Sequence, residues 1–286
     1  MPTKPKLGQN FLHDAQAADR IVAALGDCSG RTVVEIGPGQ GAMTRTLAAR
    51  AGHLLAIELD SKLASALAST VGADFPPEKV SVVNEDVLQF DFVAASAAAG
   101  ERLIVLGNLP YYITSPILLK LAANHAVLDR AVLMVQREVA DRVAADPGSR
   151  DYGLLSATAQ LYGPVEKLFT LPPEAFSPPP EVHSTILRWR FASRIAELGV
   201  DEAGFLQFLR QAFAQKRKTV ANNLRAAGFT SNAIAAGLSS ASIDPKARAE
   251  TLGLGAFAIL WRRLKTEGAA SPGEAAPLII INSSED

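Results

Sequence analysis

With Cys28 as its one cysteine in 286 residues, the chain has no second thiol for an internal disulfide, which excludes the small cross-linked folds of secreted domains. Aromatic residues are only 6% of the chain, and the four histidines, His13, His53, His125 and His183, show no ligand spacing. No metal is therefore expected. His183-Ser184 is adjacency in sequence and carries no sign of a catalytic triad. No apolar run approaches the roughly 20 residues of a membrane span, and Met1-Pro2-Thr3-Lys4-Pro5-Lys6 lacks the apolar core of a secretory signal. The expected setting is reducing and cytoplasmic, away from membranes. What is present, 48% hydrophobic and 20% charged residues, fits a globular protein with one large domain or a large and a small one.

A net charge of −1 hides an uneven distribution. Residues 1–12 carry two lysines and no acid, and residues 201–267 carry ten Lys/Arg against five Asp/Glu. Residues 13–200 hold sixteen basic against twenty-one acidic groups, and residues 268–286 hold only acids. Basic ends suit a protein that meets a polyanion, and they equally suit a solvated basic face.

From Thr32 onward, β-branched apolar runs alternate with amphipathic stretches. Thr32 to Ile36 precedes Met43 to Ala51, and Leu54 to Ile57 precedes Ser61 to Val71. Val80 to Val83 follows, then Leu103 to Leu106 before Pro116 to Ala123, and Ala131 to Val135 before Glu138 to Ala145. Continuous apolarity in the strands predicts a parallel sheet covered on both faces. Ser115-Pro116 reads as a helix start, with Ser as cap. Val165 to Leu168 and Thr185 to Arg190 are expected as antiparallel strands at the sheet's edge. After Ser193 to Val200 the texture becomes helical: Leu206, Leu209, Phe213, Val220 and Leu224 recur at helical intervals, with Gly228 as terminator. The expected domains are residues 1–194, a helical domain 195–267, and a mobile tail 268–286 rich in Ala, Pro, Gly and acid.

Between the first strand and first helix, Gly37-Pro38-Gly39-Gln40-Gly41-Ala42 forms a glycine-rich turn, and Glu58 ends the next strand. That is a fingerprint for an adenosine-bearing cofactor, a nicotinamide dinucleotide or S-adenosylmethionine, with Glu58 accepting the ribose hydroxyls. Asp86, after the strand Val80 to Val83, places a carboxylate where an adenine amine needs an acceptor. Asn108-Leu109-Pro110-Tyr111 then follows the run Arg102 to Leu106, with Pro110 stopping the strand. This is equipment for gripping a planar exocyclic amine. A hydride-transfer enzyme has no need of it and an amine methyltransferase does, so the fold expected is a Rossmann-like, S-adenosylmethionine-dependent methyltransferase sheet with a small carboxyl-terminal helical domain.

These motifs, in order, resemble those of the ribosomal RNA adenine dimethyltransferases. The likeness is carried by Gly8-Gln9-Asn10-Phe11-Leu12, Glu35-Ile36-Gly37-Pro38-Gly39, Glu58-Leu59-Asp60, Glu85-Asp86, Asn108-Leu109-Pro110-Tyr111 and Phe176-Ser177-Pro178-Pro179-Pro180-Glu181-Val182. It runs from about Lys4 to Leu264. Gln136-Arg137-Glu138-Val139-Ala140-Asp141-Arg142, Tyr152-Gly153 and the extended helical region look most like the small-subunit branch. The resemblance implies dimethylation of N6 of two adjacent adenosines in the 3′-terminal hairpin of 16S rRNA, within an immature small ribosomal subunit, by a monomer. It implies cofactor contacts from Asn10, Leu12, Gly37, Glu58, Asp86 and Asn108, with Gln9 and Phe11 helping an amino-terminal arm to close.

In this reading the Asn108 side-chain oxygen and the Leu109 carbonyl accept from the target amine, Pro110 fixes the turn, and Tyr111 stacks on a flipped-out adenine with Phe176 near its other face. A lone Phe also packs readily in a core, and Tyr112 can pack beneath Tyr111 without touching substrate. Lys216, Arg217 and Lys218, with Arg210 and Arg225, are candidates for RNA phosphates or for a solvated helix face. Three other functions remain in view: an assembly checkpoint that binds immature subunits without catalysis, a large-subunit RNA methylase, and a nicotinamide-dependent dehydrogenase.

Overall fold

The structure, a computed structural model, describes residues 10–266. Gln9 of the expected arm and the expected tail 268–286 lie outside the described residues. The described chain starts with a two-residue strand, β1 (Phe11–Leu12), and the helix α1 (Ala15–Ala23), which Asp14 caps by accepting from Gln16 N and Ala17 N. Four βα units and a further strand follow: β2 (Thr32–Ile36), α2 (Thr44–Arg50), β3 (His53–Glu58), α3 (Ser61–Gly72), β4 (Val80–Asn84), α4 (Phe92–Ala99), β5 (Leu103–Asn108), α5 (Thr114–Ala123) and β6 (Leu128–Gln136). After α6 (Arg137–Val143) and α7 (Leu154–Leu161) come β7 (Val165–Leu171), β8 (Phe176–Ser177) and β9 (Ser184–Arg190).

Seven strands form one sheet in the order β4-β3-β2-β5-β6-β9-β7, and β1 pairs with β8 in a separate ribbon. Strands β2 to β6 are mutually parallel, and all of β2 and Leu103 to Leu106 of β5 are buried, as a sheet covered on both faces requires. The late strands differ from expectation in one respect. Strand β9 lies one position inside the edge and is antiparallel to both β6 and β7, so the edge strand β7 runs with the parallel five. Ser115 is inside α5 and caps nothing; the helix starts at Thr114, whose hydroxyl donates to the Pro110 carbonyl at 3.0 Å.

At the amino ends of the strands, Glu101 pairs with Arg31 and accepts from Thr32 N at 2.6 Å, while Asp129 pairs with Arg130. These contacts fix the sheet's edge opposite the carboxyl ends where ligands bind in open α/β sheets.

Two compact units partition the chain. The described residues up to Asp141 together with Gly163–Ala192 make the first; Arg142–Tyr162 and the described residues from Ser193 onward make the second. The second unit therefore takes in α7, which the sequence boundary at residue 194 had placed with the sheet. It also holds α8 (Ile195–Leu198), α9 (Glu202–Ala212), α10 (Val220–Ala226), α11 (Ser231–Ser240) and α12 (Leu254–Thr266). Phe205, Phe208, Leu209, Leu224, Phe257 and Leu260 are fully buried there. The single helical run expected through Leu224 is two helices, because the chain breaks at residues 213–219 and restarts at Thr219, whose hydroxyl accepts from Asn222 N. No helix among the described residues is long and apolar enough to cross a membrane.

Candidate active site

The order of the strands decides where a ligand can go. From β2 the chain steps outward through β3 and β4 on one side, then returns to place β5 and β6 on the other. The crevice at the carboxyl ends of β2 and β5 is the switch point where such sheets bind ligands. Ile36 is in register with Gly107, so the glycine turn and Asn108 leave the sheet side by side. A cleft partly open to solvent lies here within the first unit. Asn10, Leu12, Gly37, Glu58, Asp86 and Asn108 all line it, together with Leu109, Pro110 and Tyr111.

Gly37 and Gly39 have φ of +65° and +57°, the left-handed region that glycine enters without a Cβ clash. A Cβ on Gly39 would also lie 3.1 Å from two ring carbons of Phe11, so β1 rests directly on the turn. Glu58 is buried, and its two carboxylate oxygens accept from Gly39 N at 3.0 Å and Asp60 N at 2.9 Å. Each oxygen has a further acceptor position, so the side chain can hold the turn and still receive a diol. Asp86 accepts from Leu88 N through Oδ1 at 2.9 Å, and its other oxygen takes no bond from the described residues. Asn84 Nδ2 donates to the carbonyls of Glu58 and Leu59, tying the ends of β3 and β4 together. Leu59 and Val87, beside the two acids, add apolar surface to the cleft.

Glu35, beside the glycine turn, is a buried acid. It sits in the middle of β2 with no exposure, and neither its carboxyl oxygens nor the Thr44 hydroxyl make a hydrogen bond of ordinary geometry. Loss of solvation pushes its pKa up to about 7, an effect eased by the Thr44 hydroxyl and increased by the Glu58 charge. The signal in the sequence was one acid inside an otherwise apolar strand.

Asn108 ends β5 with its Nδ2 donating to the Asn10 carbonyl at 3.4 Å, which leaves Oδ1 as an acceptor. Leu109 N donates to Met134 O at 3.0 Å, its side chain is buried, and its carbonyl takes no bond from the described residues. The next carbonyl, that of Pro110, is occupied by Thr114 Oγ1 and Ile113 N. Two adjacent acceptors at a strand end, Asn108 Oδ1 and Leu109 O, thus take no bond from the described residues.

The two tyrosines that follow separate. Tyr111 is part-buried, and its hydroxyl shares a 3.2 Å hydrogen bond with Ser184 Oγ on β9. Tyr112 does not pack beneath it: it is 57% exposed and lines the cleft. Partial desolvation, with the charges of Asp86 and Glu58 behind it, raises the Tyr112 pKa.

Phe176 stands elsewhere than the stacking reading placed it. It is 3% exposed, belongs to the core cluster with Leu12, Leu171 and Ile186, and does not line the cleft. Its backbone pairs with Leu12. The ring has been drawn into the core because β8 lies under β1, and the packing alternative describes it. The five basic candidates are all exposed in the second unit: Arg210 in the last turn of α9, Lys216, Arg217 and Lys218 in the break before α10, and Arg225 in the last turn of α10. The three-residue cluster therefore occupies a loop and no helix face. Arg225 bonds Asn222 Oδ1 at 2.7 Å.

A parallel sheet with this switch point, an acid at the end of β3, a second acid after β4 and an asparagine with open acceptors after β5 define a Rossmann-like methyltransferase. Residues 2–264 match the ribosomal RNA adenine dimethylase family, and the chain belongs to that family. It is 60% identical to the ribosomal RNA small subunit methyltransferase A of Acidobacterium capsulatum, covering 92% of this chain and 91% of that protein. It is 49% identical to the protein of the same description from Koribacter versatilis, covering 92% and 94%. Among solved structures, a dimethyladenosine transferase from Plasmodium falciparum matches with a TM-score of 0.74 at 23% identity, covering 91% of this chain and 98% of that one. The 23S rRNA methyltransferase ErmE matches at 0.70 and 24% identity over 90% and 100%, which shows a shared fold. The nicotinamide-dependent alternative is set aside by the family assignment.

Proposed function

We propose that the chain uses S-adenosylmethionine to dimethylate N6 of two adjacent adenosines in the 3′-terminal hairpin of 16S rRNA, on an immature small ribosomal subunit. The small-subunit description of relatives as close as 60% identity supports this RNA over the large-subunit alternative. The observation that carries the chemistry is the pair of open acceptors, Asn108 Oδ1 and Leu109 O, in the same cleft as Glu58 and Asp86.

The site fits the cofactor in two ways. A Cβ on Gly37 would lie 3.3 Å from the Asn108 carbonyl and one on Gly39 3.1 Å from the Phe11 ring, so the turn is bare main chain, which a ligand can approach closely. Glu58 and Asp86 also offer acceptors for a ribose diol and an adenine amine, with Leu59 and Val87 to flank a base. Asn10, Leu12 and Asn108 complete the set. Bound there, the cofactor supplies an electrophilic methyl group. Adenine N6 is a poor nucleophile because its lone pair is delocalised into the ring. Asn108 Oδ1 and Leu109 O accept from the two N–H groups, favour the pyramidal amine and stabilise the positive charge that develops on nitrogen. Pro110 holds that turn, and no strong general base is required once nitrogen is alkylated. Tyr111, its hydroxyl held by Ser184, presents a ring on which an extruded base stacks. A monomethylated amine keeps one N–H, so one acceptor suffices for the second round. In this reading the first unit is the catalytic domain, the exposed cluster of the second unit meets RNA phosphates, and the protein acts as a cytoplasmic monomer without metal.

The test is transfer of labelled methyl groups to small subunits lacking this modification, with the modified nucleotides mapped. Two adjacent dimethyladenosines are expected, and Asn108→Ala is expected to lower the rate by about 100-fold or more without lowering the melting temperature. Preferential labelling of large-subunit RNA would overturn the substrate assignment, and full activity of Asn108→Ala would overturn the role of the acceptor pair.

A further inference from the structure

Tyr112 is a large side chain in the cleft that the reaction outlined above does not use. It is among the few large hydrophobic or aromatic side chains that are exposed among the described residues, and it makes no hydrogen bond there. Its surroundings are specific. Tyr111 is held toward β9 by Ser184, whereas Tyr112, with no such tie, lines the cleft that Asp86 and Glu58, at the ends of β4 and β3, also line. Sheet order sets these two sides apart, with β3 and β4 on one flank of β5 and β9 on the other. Tyr111 is thus tied down by its hydroxyl, and the exposed Tyr112 ring shares the cleft with the two acids assigned to the cofactor's adenosine.

We infer that the Tyr112 ring closes over the adenosine half of the cofactor from the solvent side, and that this contact sets the affinity for both S-adenosylmethionine and its demethylated product. The inference rests on the cofactor reading above. An aromatic face left exposed by the described residues gains burial when an adenine lies between it and the apolar surface of Leu59 and Val87. The placement also bears on turnover. Two dimethylations consume four cofactors, so the residue at the rim of the adenosine site governs an exchange repeated between transfers. Because the ring rather than the hydroxyl makes the contact, phenylalanine preserves it and alanine removes it.

Calorimetric titration of the full chain with S-adenosylmethionine and with S-adenosylhomocysteine, in the absence of RNA, tests this. Tyr112→Ala is expected to weaken both ligands by about tenfold and Tyr112→Phe to stay within about twofold of wild type. In steady-state assays the Ala variant is expected to raise the KM for S-adenosylmethionine and to leave the KM for RNA within about twofold. A melting curve for each variant confirms the fold, which substitution of a side chain more than half exposed preserves. If Tyr112→Ala binds both ligands as wild type does, or if the defect falls on the KM for RNA, the inference is overturned while the methyltransferase reading stands. If the wild-type chain binds no S-adenosylmethionine, the cofactor reading and this inference fall together.

Discussion

Replacing Glu35 with Gln removes a charge that the fold buries with no ion-pair partner among the described residues. In the folded chain the carboxyl's pKa is about 7, against an ordinary 4.5. A raised folded pKa means that the contribution of this group is most favourable below about 4.5, declines as pH rises, and levels off above about 7. Taking about 1.36 kcal/mol for each tenfold change in proton affinity, the full effect is about 3 kcal/mol, of which about 2.5 falls between pH 5 and pH 8. Because the group is fully buried, solvent screening does not reduce that figure. The Gln amide is nearly isosteric and neutral at both pH values. The stability of Glu35→Gln relative to wild type should therefore rise by about 2 to 3 kcal/mol from pH 5 to pH 8. Urea unfolding at the two pH values measures this, followed by the fluorescence of Trp189, buried in the same unit, with Trp261 of the second unit replaced by Phe in both proteins. A difference between variant and wild type that is the same at both pH values would refute the reasoning, since it would mean that Glu35 holds its charge in the folded chain at no cost.

Phe176→Ala should lower unfolding stability by about 3 to 5 kcal/mol in the same urea experiment, because the ring is 3% exposed in the core cluster under β1. A solvent-facing stacking residue would cost far less. Replacing Lys216, Arg217 and Lys218 together by Ala should weaken binding to small-subunit RNA and reduce the slope of log affinity against log salt by about 2 to 3, as read from filter binding over a salt series. An unchanged slope would assign the cluster to solvent.

The βα pattern was legible because a parallel sheet covered on both faces makes its strands continuously apolar, and β2, β3, β4 and β5 lie within a residue or two of the runs that predicted them. Helices α1 and α4 were not read, although Asp14 and Asp91 cap them with side-chain acceptors. Alanine-rich segments such as Phe92–Ala99 lack the contrast between faces from which helical periodicity is recognised. Gly37, Glu58, Asp86 and Asn108, expected to contact a cofactor because each ends or follows a strand, line one cleft, and Asn10 and Leu12, expected from the family resemblance alone, line it too. Phe176 was misplaced for the opposite reason. Its Pro-rich neighbourhood suggests a loop, and only the pairing of β8 with β1 buries the ring.

By itself the sequence determined the kind of chemistry: a glycine turn with positive φ, an acid at the end of the next strand, and an asparagine before a proline turn are local features whose conformations follow from residue type. It determined also that no disulfide holds the chain. What only the tertiary structure decided is which of these features meet. The reversal of strand order puts Gly37 beside Asn108 although 71 positions separate them, ties the Tyr111 hydroxyl to Ser184 while Tyr112 stays exposed, and buries Glu35 in the sheet. Each of these depends on contacts between residues far apart in sequence, and such contacts leave no periodic trace in the chain.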